Sequence, residues 1–216
     1  MRSAIGLDLP LMSVKRTWYH AARGHPGRIL RLTPRGITLA LGSGYAPTRF
    51  NPGNMHRAEP SIETLYLALD GDTALFEKGV QYGDPFGDSS AWLVTEKIRK
   101  TELVPVTVHL DSILDLSDVD VHAKLDSNAQ ELTGDWQGYL HRGSGEPDIV
   151  LKAPTGRAPT RNLAWELFHH TAVKGIISIS AQVPTTCCLV VFTHKLQSPD
   201  RLSWSDPNTG KRETYP

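Results

Sequence analysis

Three side chains between positions 44 and 79 could act together on a charged sugar: Arg49, Tyr66 and Glu77. They lie in the segments GYAPTRFNPG and TLYLALDGDTALFEKG. A guanidinium in a Gly/Pro loop can grip a pyrophosphate through paired, charge-assisted hydrogen bonds. A tyrosine ring can stack on a nicotinamide or a ribose. Glu77 follows the apolar run Ala74-Leu75-Phe76. A carboxylate there can accept a hydrogen bond from a ribose 2′-hydroxyl and stabilise an oxocarbenium ion as the leaving group departs. Together the three residues point to chemistry on a dinucleotide, with NAD as the candidate. Taken singly, each has a plainer reading: a solvated arginine, a core tyrosine in a buried strand, and an exposed helix glutamate paired with a lysine.

Such residues need elements to position them. Residues 64–69 are apolar and compact, as in a buried strand, and Asp70 and Asp72 supply N-cap chemistry for a helix running to Val80. That places Tyr66 in a sheet and Glu77 on the helix or at its end. Gly, Pro and Asn recur through 42–61, which reads as the loop carrying Arg49. Residues 17–20 read as a short first strand, 23–36 as a Gly/Pro/Arg loop and 37–41 as a strand or helical turn. Residues 83–90 are loop, and 103–110 form a strand with Val104, Val106 and Val108 on one face. A helix is expected over 135–140, then a long loop over 147–161 with three prolines. Thr160 can cap a helix over 161–169 that places Leu163, Leu167 and His170 on one face. Residues 175–180 and 187–193 read as strands. The segment after 197 is polar, rich in Asp, Pro and Ser, and expected to be mobile. Strands and helices mix without regular βαβ alternation, so the class is α+β and not a doubly wound sheet. One domain over 1–216 is expected, with its core at about 17–196 and a polar tail over 197–216.

Composition narrows the function classes. Lys and Arg total 23, Asp and Glu total 23, and the formal net charge is +0. Such a chain has no broad field to attract nucleic acid or an anionic membrane. No apolar run approaches bilayer length. Asp8 and Pro10 interrupt the short apolar part of the N-terminus, which makes a poor signal peptide, and the protein reads as cytoplasmic. Cys187 and Cys188 are adjacent and read as reduced, buried thiols. There is no GxxxxGK[ST], GxGxxG, GxSxG or HExxH. His169 and His170 diverge by about 100° on a helix, so one is expected packed and one exposed, without a shared metal. Arg23 and Arg28 read as solvated arginines, and Trp136, Trp165 and Phe168 as core.

In the order of its blocks the chain resembles the RES-domain family over about 17–196. The blocks are Thr48-Arg49-Phe50-Asn51-Pro52, Leu65-Tyr66-Leu67-Ala68 with Ala74-Leu75-Phe76-Glu77, Pro159-Thr160, and Gly175 to Ser180 followed by an apolar strand ending in Phe192. The chain departs from the family in three places. Tyr19-His20 stands where an arginine is frequent, Thr48 stands where a glycine is usual, and the segment between Asn51 and Tyr66 is longer. Members of the family are typically toxins of bacterial toxin–antitoxin pairs with an ADP-ribosyltransferase-like fold of mixed, mainly antiparallel sheets with flanking helices. The resemblance implies cleavage of the nicotinamide–ribose bond of NAD, with NAD as substrate, no metal, and water, phosphate or a protein side chain as acceptor. It implies that Arg49 and His20 anchor the dinucleotide and Tyr66 packs on the nicotinamide side. It also implies that Glu77 stabilises the transition state, Ser180 supports the site, and an Xre-like antitoxin plugs the cleft. Two other readings stay open: a protein ADP-ribosyltransferase, and a catalytically inactive module that binds a nucleotide or a partner.

Overall fold

Val104, Val106, Val108 and Leu110 alternate with exposed residues along the longest strand of the computed structural model, Thr101–Asp115. The structure describes residues 1–23, 48–51, 62–82, 92–93, 101–134, 158–205, 210 and 212–216. Within them the order of elements is β1 (Leu11–Arg23), β2 (Thr64–Ala68), α1 (Gly71–Glu77), β3 (Gln81–Tyr82), β4 (Trp92–Leu93) and β5 (Thr101–Asp115). There follow α2 (Val119–Leu125), α3 (Ala129–Thr133), α4 (Pro159–His170), β6 (Gly175–Ile179), β7 (Cys187–Phe192), β8 (Arg201–Ser205) and β9 (Arg212–Tyr215).

The main sheet runs β1-β2-β7-β6-β5-β8-β9, and β1 also pairs with β5. The strands from β1 to β5 therefore close on one another, and β8 and β9 extend from β5. Closure works because β5 is long. One of its edges serves β1 from Leu114 down to Thr101, while the other is shared between β6 at 113–115 and β8 at 106–109. The β5–β6 pairing is parallel, and the other described pairings are antiparallel.

Strand alternation then sorts the core. Leu65 and Leu67 of β2, with Leu189 and Val191 of β7, join Trp18, Val106 and Trp204 on one face. Tyr66 and Val190 lie on the other, against Leu163 and Leu167 of α4, Val121 and Leu125 of α2, and Leu132 of α3. Each such aliphatic side chain contributes about 1.5–3 kcal/mol on burial. Gly175 allows β6 to approach β7: a Cβ there would stand 2.7 Å from the Val190 carbonyl oxygen. Lys195 Nζ closes the C-terminal end of α4 by donating to the carbonyls of Leu167, Phe168 and Thr171 at 3.1, 2.9 and 2.6 Å.

The architecture is a mixed α+β one, as expected, with several corrections in detail. β1 begins at Leu11 instead of 17, because its pairing with β5 continues through the charged pair Lys15-Arg16. β5 continues to Asp115 past Ser112, whose φ is 56°. α4 starts at Pro159 with Ala158 at the N-cap, and Thr160 is not its cap. His169 and His170 are both exposed, each against the Trp165 ring at centroid distances of 4.8 and 5.1 Å. Trp165 and Phe168 are half-buried at the helix-side core. Cys187 and Cys188 are free thiols, half-buried and not fully enclosed. The largest correction concerns the tail. It carries β8 and β9, and Leu202 and Trp204 are buried at 0% and 3% exposure. Pairing with β5 makes these isolated apolar residues part of the core. The readings for 24–41, 83–90, 135–140 and 147–157, with Arg28 and Trp136, lie outside the described residues, as does the loop reading for 42–61 apart from 48–51.

Trp204→Ala should therefore lower stability by about 3–5 kcal/mol, the cost of emptying a large aromatic site. Ser205→Ala, at an exposed position of the same strand, should stay within about 0.5 kcal/mol. Urea melts of the two variants beside wild type measure both, and an unchanged midpoint for Trp204→Ala would remove β8 from the core.

Candidate active site

Glu77 owes its place to a short helix with a firm start. Asp70 caps α1: its Oδ1 accepts from the Thr73 backbone N–H and its Oδ2 from the Thr73 hydroxyl, both at 2.8 Å. One end of α1 is thus set against β2, and Glu77 emerges exposed as the last helical residue. Gly79, at φ 65°, turns the chain away and donates to the Phe76 carbonyl at 2.8 Å.

The Glu77 carboxylate meets the segment that follows β6. Its Oε1 accepts from Ser180 Oγ at 2.5 Å, from Ala181 N at 3.1 Å and, more weakly, from Gln182 N at 3.4 Å. Ser180 is buried at 1% exposure. Its single hydroxyl proton goes to Glu77, and its oxygen accepts from Val183 N at 3.0 Å and Gln182 N at 3.3 Å. The serine thus organises its own turn and orients the carboxylate at once. Cys188 pairs with Ser178 and Ala68 in the sheet, and its thiol lies beside Ser180 and Glu77. Burial, and then the Glu77 charge, push that thiol up, so it stays protonated.

Tyr66 and Arg49 form a second group around the turn at 48–51. Tyr66 Oη lies 2.6 Å from Thr48 Oγ1 and accepts from Phe50 N at 2.9 Å. Burial pushes the phenol up to about 12, so it remains neutral. The turn is braced from several sides. Thr48 N donates to Asn51 O at 2.9 Å, Asn51 Nδ2 to Ile62 O at 2.5 Å, and Thr160 Oγ1 to Arg49 O at 2.8 Å. Arg161, 1% exposed, donates from Nε to Thr48 O at 2.8 Å. The Arg49 side chain turns toward the end of α3, where Nη1 donates to Leu132 O at 2.9 Å and Gly134 O at 2.7 Å. Those carbonyls carry the partial negative charge of a helix C-terminus. Part of the guanidinium fork therefore holds the protein together.

His20 shares the Trp18 face of β1, and its Nδ1 lies 2.9 Å from the Tyr66 carbonyl oxygen. An acceptor at that distance requires the proton on Nδ1, so Nε2 carries the lone pair. Among the described residues, Nε2 has no hydrogen-bond partner, and it has no solvent contact. Burial lowers the imidazole to about 4 against a partial offset from the Tyr66 carbonyl, and the nearby Lys78 charge lowers it further. At neutral pH His20 carries no charge, so it cannot replace an arginine electrostatically.

The structure thus joins Glu77 directly to Ser180, and joins Arg49 to Tyr66 through the 48–51 turn. Both groups border the face of β2 and β7 that carries Tyr66, Ala68 and Cys188. His20 reaches the Tyr66 backbone and not its ring. Sequence reasoning missed Arg161, whose only local signal is its place directly after Pro159-Thr160. It also missed Cys188 as a neighbour of the carboxylate, which follows from strand register alone. Among the described residues, no three His, Cys, Asp or Glu side chains cluster as metal ligands.

A family model described as RES domain matches residues 17–206. No curated protein and no solved structure matches the chain.

The His20 environment sets a pH dependence with a definite sign. Its folded value of about 4 lies below the ordinary 6.5, so between these values the unfolded chain binds the extra proton. Stability then rises with pH from about 4 to 6.5. Acidifying from pH 7 to 4 should cost wild type about 2–3 kcal/mol more than His20→Asn, in which the amide can still donate to the Tyr66 carbonyl. Urea melts at the two pH values measure this difference, and identical losses would place His20 in solvent.

Proposed function

The chain belongs to the RES-domain family, a family of NAD-related domains of toxin–antitoxin systems, and on that premise we propose that it cleaves the nicotinamide–ribose bond of NAD. The observation that carries this reading is an exposed carboxylate whose Oε1 is held by a buried serine hydroxyl and adjacent backbone N–H groups. Such a group is oriented before substrate arrives and needs little rearrangement as charge develops.

In this reading the ribose C–N bond lengthens, nicotinamide departs with the bonding pair, and positive charge grows on the sugar. The Glu77 carboxylate faces that charge, and Ser180 keeps it in place. Tyr66 offers its ring to the nicotinamide side, because its hydroxyl is already engaged by Thr48 and Phe50. Arg49 supplies positive charge for the pyrophosphate from a turn braced by Thr160 and Arg161. His20 braces the strand of Tyr66 through Nδ1, and with its Nε2 closed off from solvent the anchoring of the dinucleotide falls to Arg49 in this reading. Water or inorganic phosphate then adds to the open face of the cation. A single RES-like domain of ADP-ribosyltransferase-like fold, restrained by an antitoxin that covers the cleft, completes the proposal. Its effect in a cell is depletion of NAD.

The purified protein should release nicotinamide from NAD without added metal. Glu77→Gln keeps the shape and loses the charge, and should turn over about 10²–10³ more slowly with near-normal binding. Ser180→Ala should lose less, about tenfold, since the backbone donors remain. Chromatographic detection of nicotinamide in phosphate-free and phosphate-containing buffer tests all three. A folded wild type inactive in both buffers would refute the reading.

In a bacterial cytoplasm, expression of wild type should lower NAD and slow growth, and Glu77→Gln should relieve both. Arrest that persists in the variant at equal protein level would point to a binding effect in place of catalysis.

A further inference from the structure

The turn that holds Glu77 is itself tied to the opposite end of the Glu77 helix. Ser180 N donates to Thr186 O at 2.9 Å and Thr186 N donates to Val183 O at 2.9 Å, so Thr186 closes the turn that begins at Ser180. Its hydroxyl lies 2.9 Å from Thr73 Oγ1, in the first turn of α1. The proton order along this contact is fixed. Asp70 Oδ2 accepts from Thr73 Oγ1 at 2.8 Å, so the Thr73 proton is spent on the carboxylate. Thr73 can therefore only accept from Thr186. The 3.4 Å approach of the Thr186 hydroxyl to Val183 O is the poorer alternative. A directed chain results, from Thr186 to Thr73 to Asp70, and Thr73 is buried at 1% exposure.

α1 and the 180–186 turn are thus cross-linked at both ends of the helix. At its start Thr186 binds Thr73, and at its end Ser180, Ala181 and Gln182 bind Glu77. We propose that Thr186 is a positioning residue: its hydroxyl sets the 180–186 turn against α1 so that the donors meet Glu77 Oε1. The inference rests on the NAD-cleaving reading for its catalytic consequence, and on geometry alone for its structural one. A carboxylate held only at its own end could follow the turn as it shifts. With the second cross-link, the helix and the turn move together or not at all.

Thr186→Val keeps the side-chain shape and removes the hydroxyl, while Thr186→Ser retains it. Hydrogen exchange of the Ala181 and Gln182 amides should quicken about tenfold in Thr186→Val, with Leu189 and Val190 of β7 unchanged, and return to wild type in Thr186→Ser. In nicotinamide release, kcat should fall about tenfold at a KM for NAD within about twofold of wild type. Unchanged exchange at Ala181 and Gln182, or equal loosening of β7, would overturn the proposal. A wild type that releases no nicotinamide would instead defeat the functional reading, and the exchange result would still decide the positioning role.

Discussion

A carboxylate at the end of a seven-residue helix has no direction of its own, and the hydrogen bond from Ser180 to Glu77 supplies one. It joins segments 103 residues apart in the chain. The helix must start at a set place, which Asp70 and Thr73 ensure. The serine must leave the sheet at a set place, which the pairing of β6 with β7 ensures through the close approach at Gly175. A charge-assisted O–H···O bond with one buried partner is worth more than an exposed ion pair. It is also directional, which is what the catalytic role proposed for Glu77 requires.

The second group of the site is organised around backbone carbonyls. The 48–51 turn presents Thr48 O to Arg161 and Arg49 O to Thr160, while Arg49 itself turns to the end of α3. Guanidinium groups suit this work because each carries several N–H donors in a planar fork. Arg49 is therefore bound into the fold, and its positive charge has a fixed orientation. Thr48, standing where the family resemblance leads one to expect glycine, uses its hydroxyl on Tyr66. The extra side chain is absorbed by a hydrogen bond that glycine could not make.

Desolvation decides the protonation states around these groups. His20 is neutral, Tyr66 keeps its proton and Cys188 keeps its own. For all three, burial is the leading cause and opposes the charged form. A neutral imidazole beside the strand of Tyr66 can accept a hydrogen bond but cannot neutralise a phosphate. The functional roles of a histidine and an arginine at this place are thus physically different.

The sequence by itself determined the local elements that carry the site and the identity of the groups in it. The Leu65/Leu67 alternation with Tyr66, the Asp70 cap and the valine ladder of β5 follow from short-range periodicity and capping chemistry, and the structure shows them close to where they were expected. The four blocks, in their order, carried the family. Tertiary structure alone decided what those groups touch. Nothing near Thr160 says that its hydroxyl serves Arg49 O and leaves the helix uncapped, and nothing near Arg161 says that it is buried against Thr48. The 197–216 segment read as a polar tail because its few apolar residues are scattered, yet pairing with β5 puts Leu202 and Trp204 in the core. Periodicity reports on neighbours within a turn or two of chain. Strand register and helix docking set contacts across a hundred residues, and that is where Glu77 acquires its donors and His20 loses its charge.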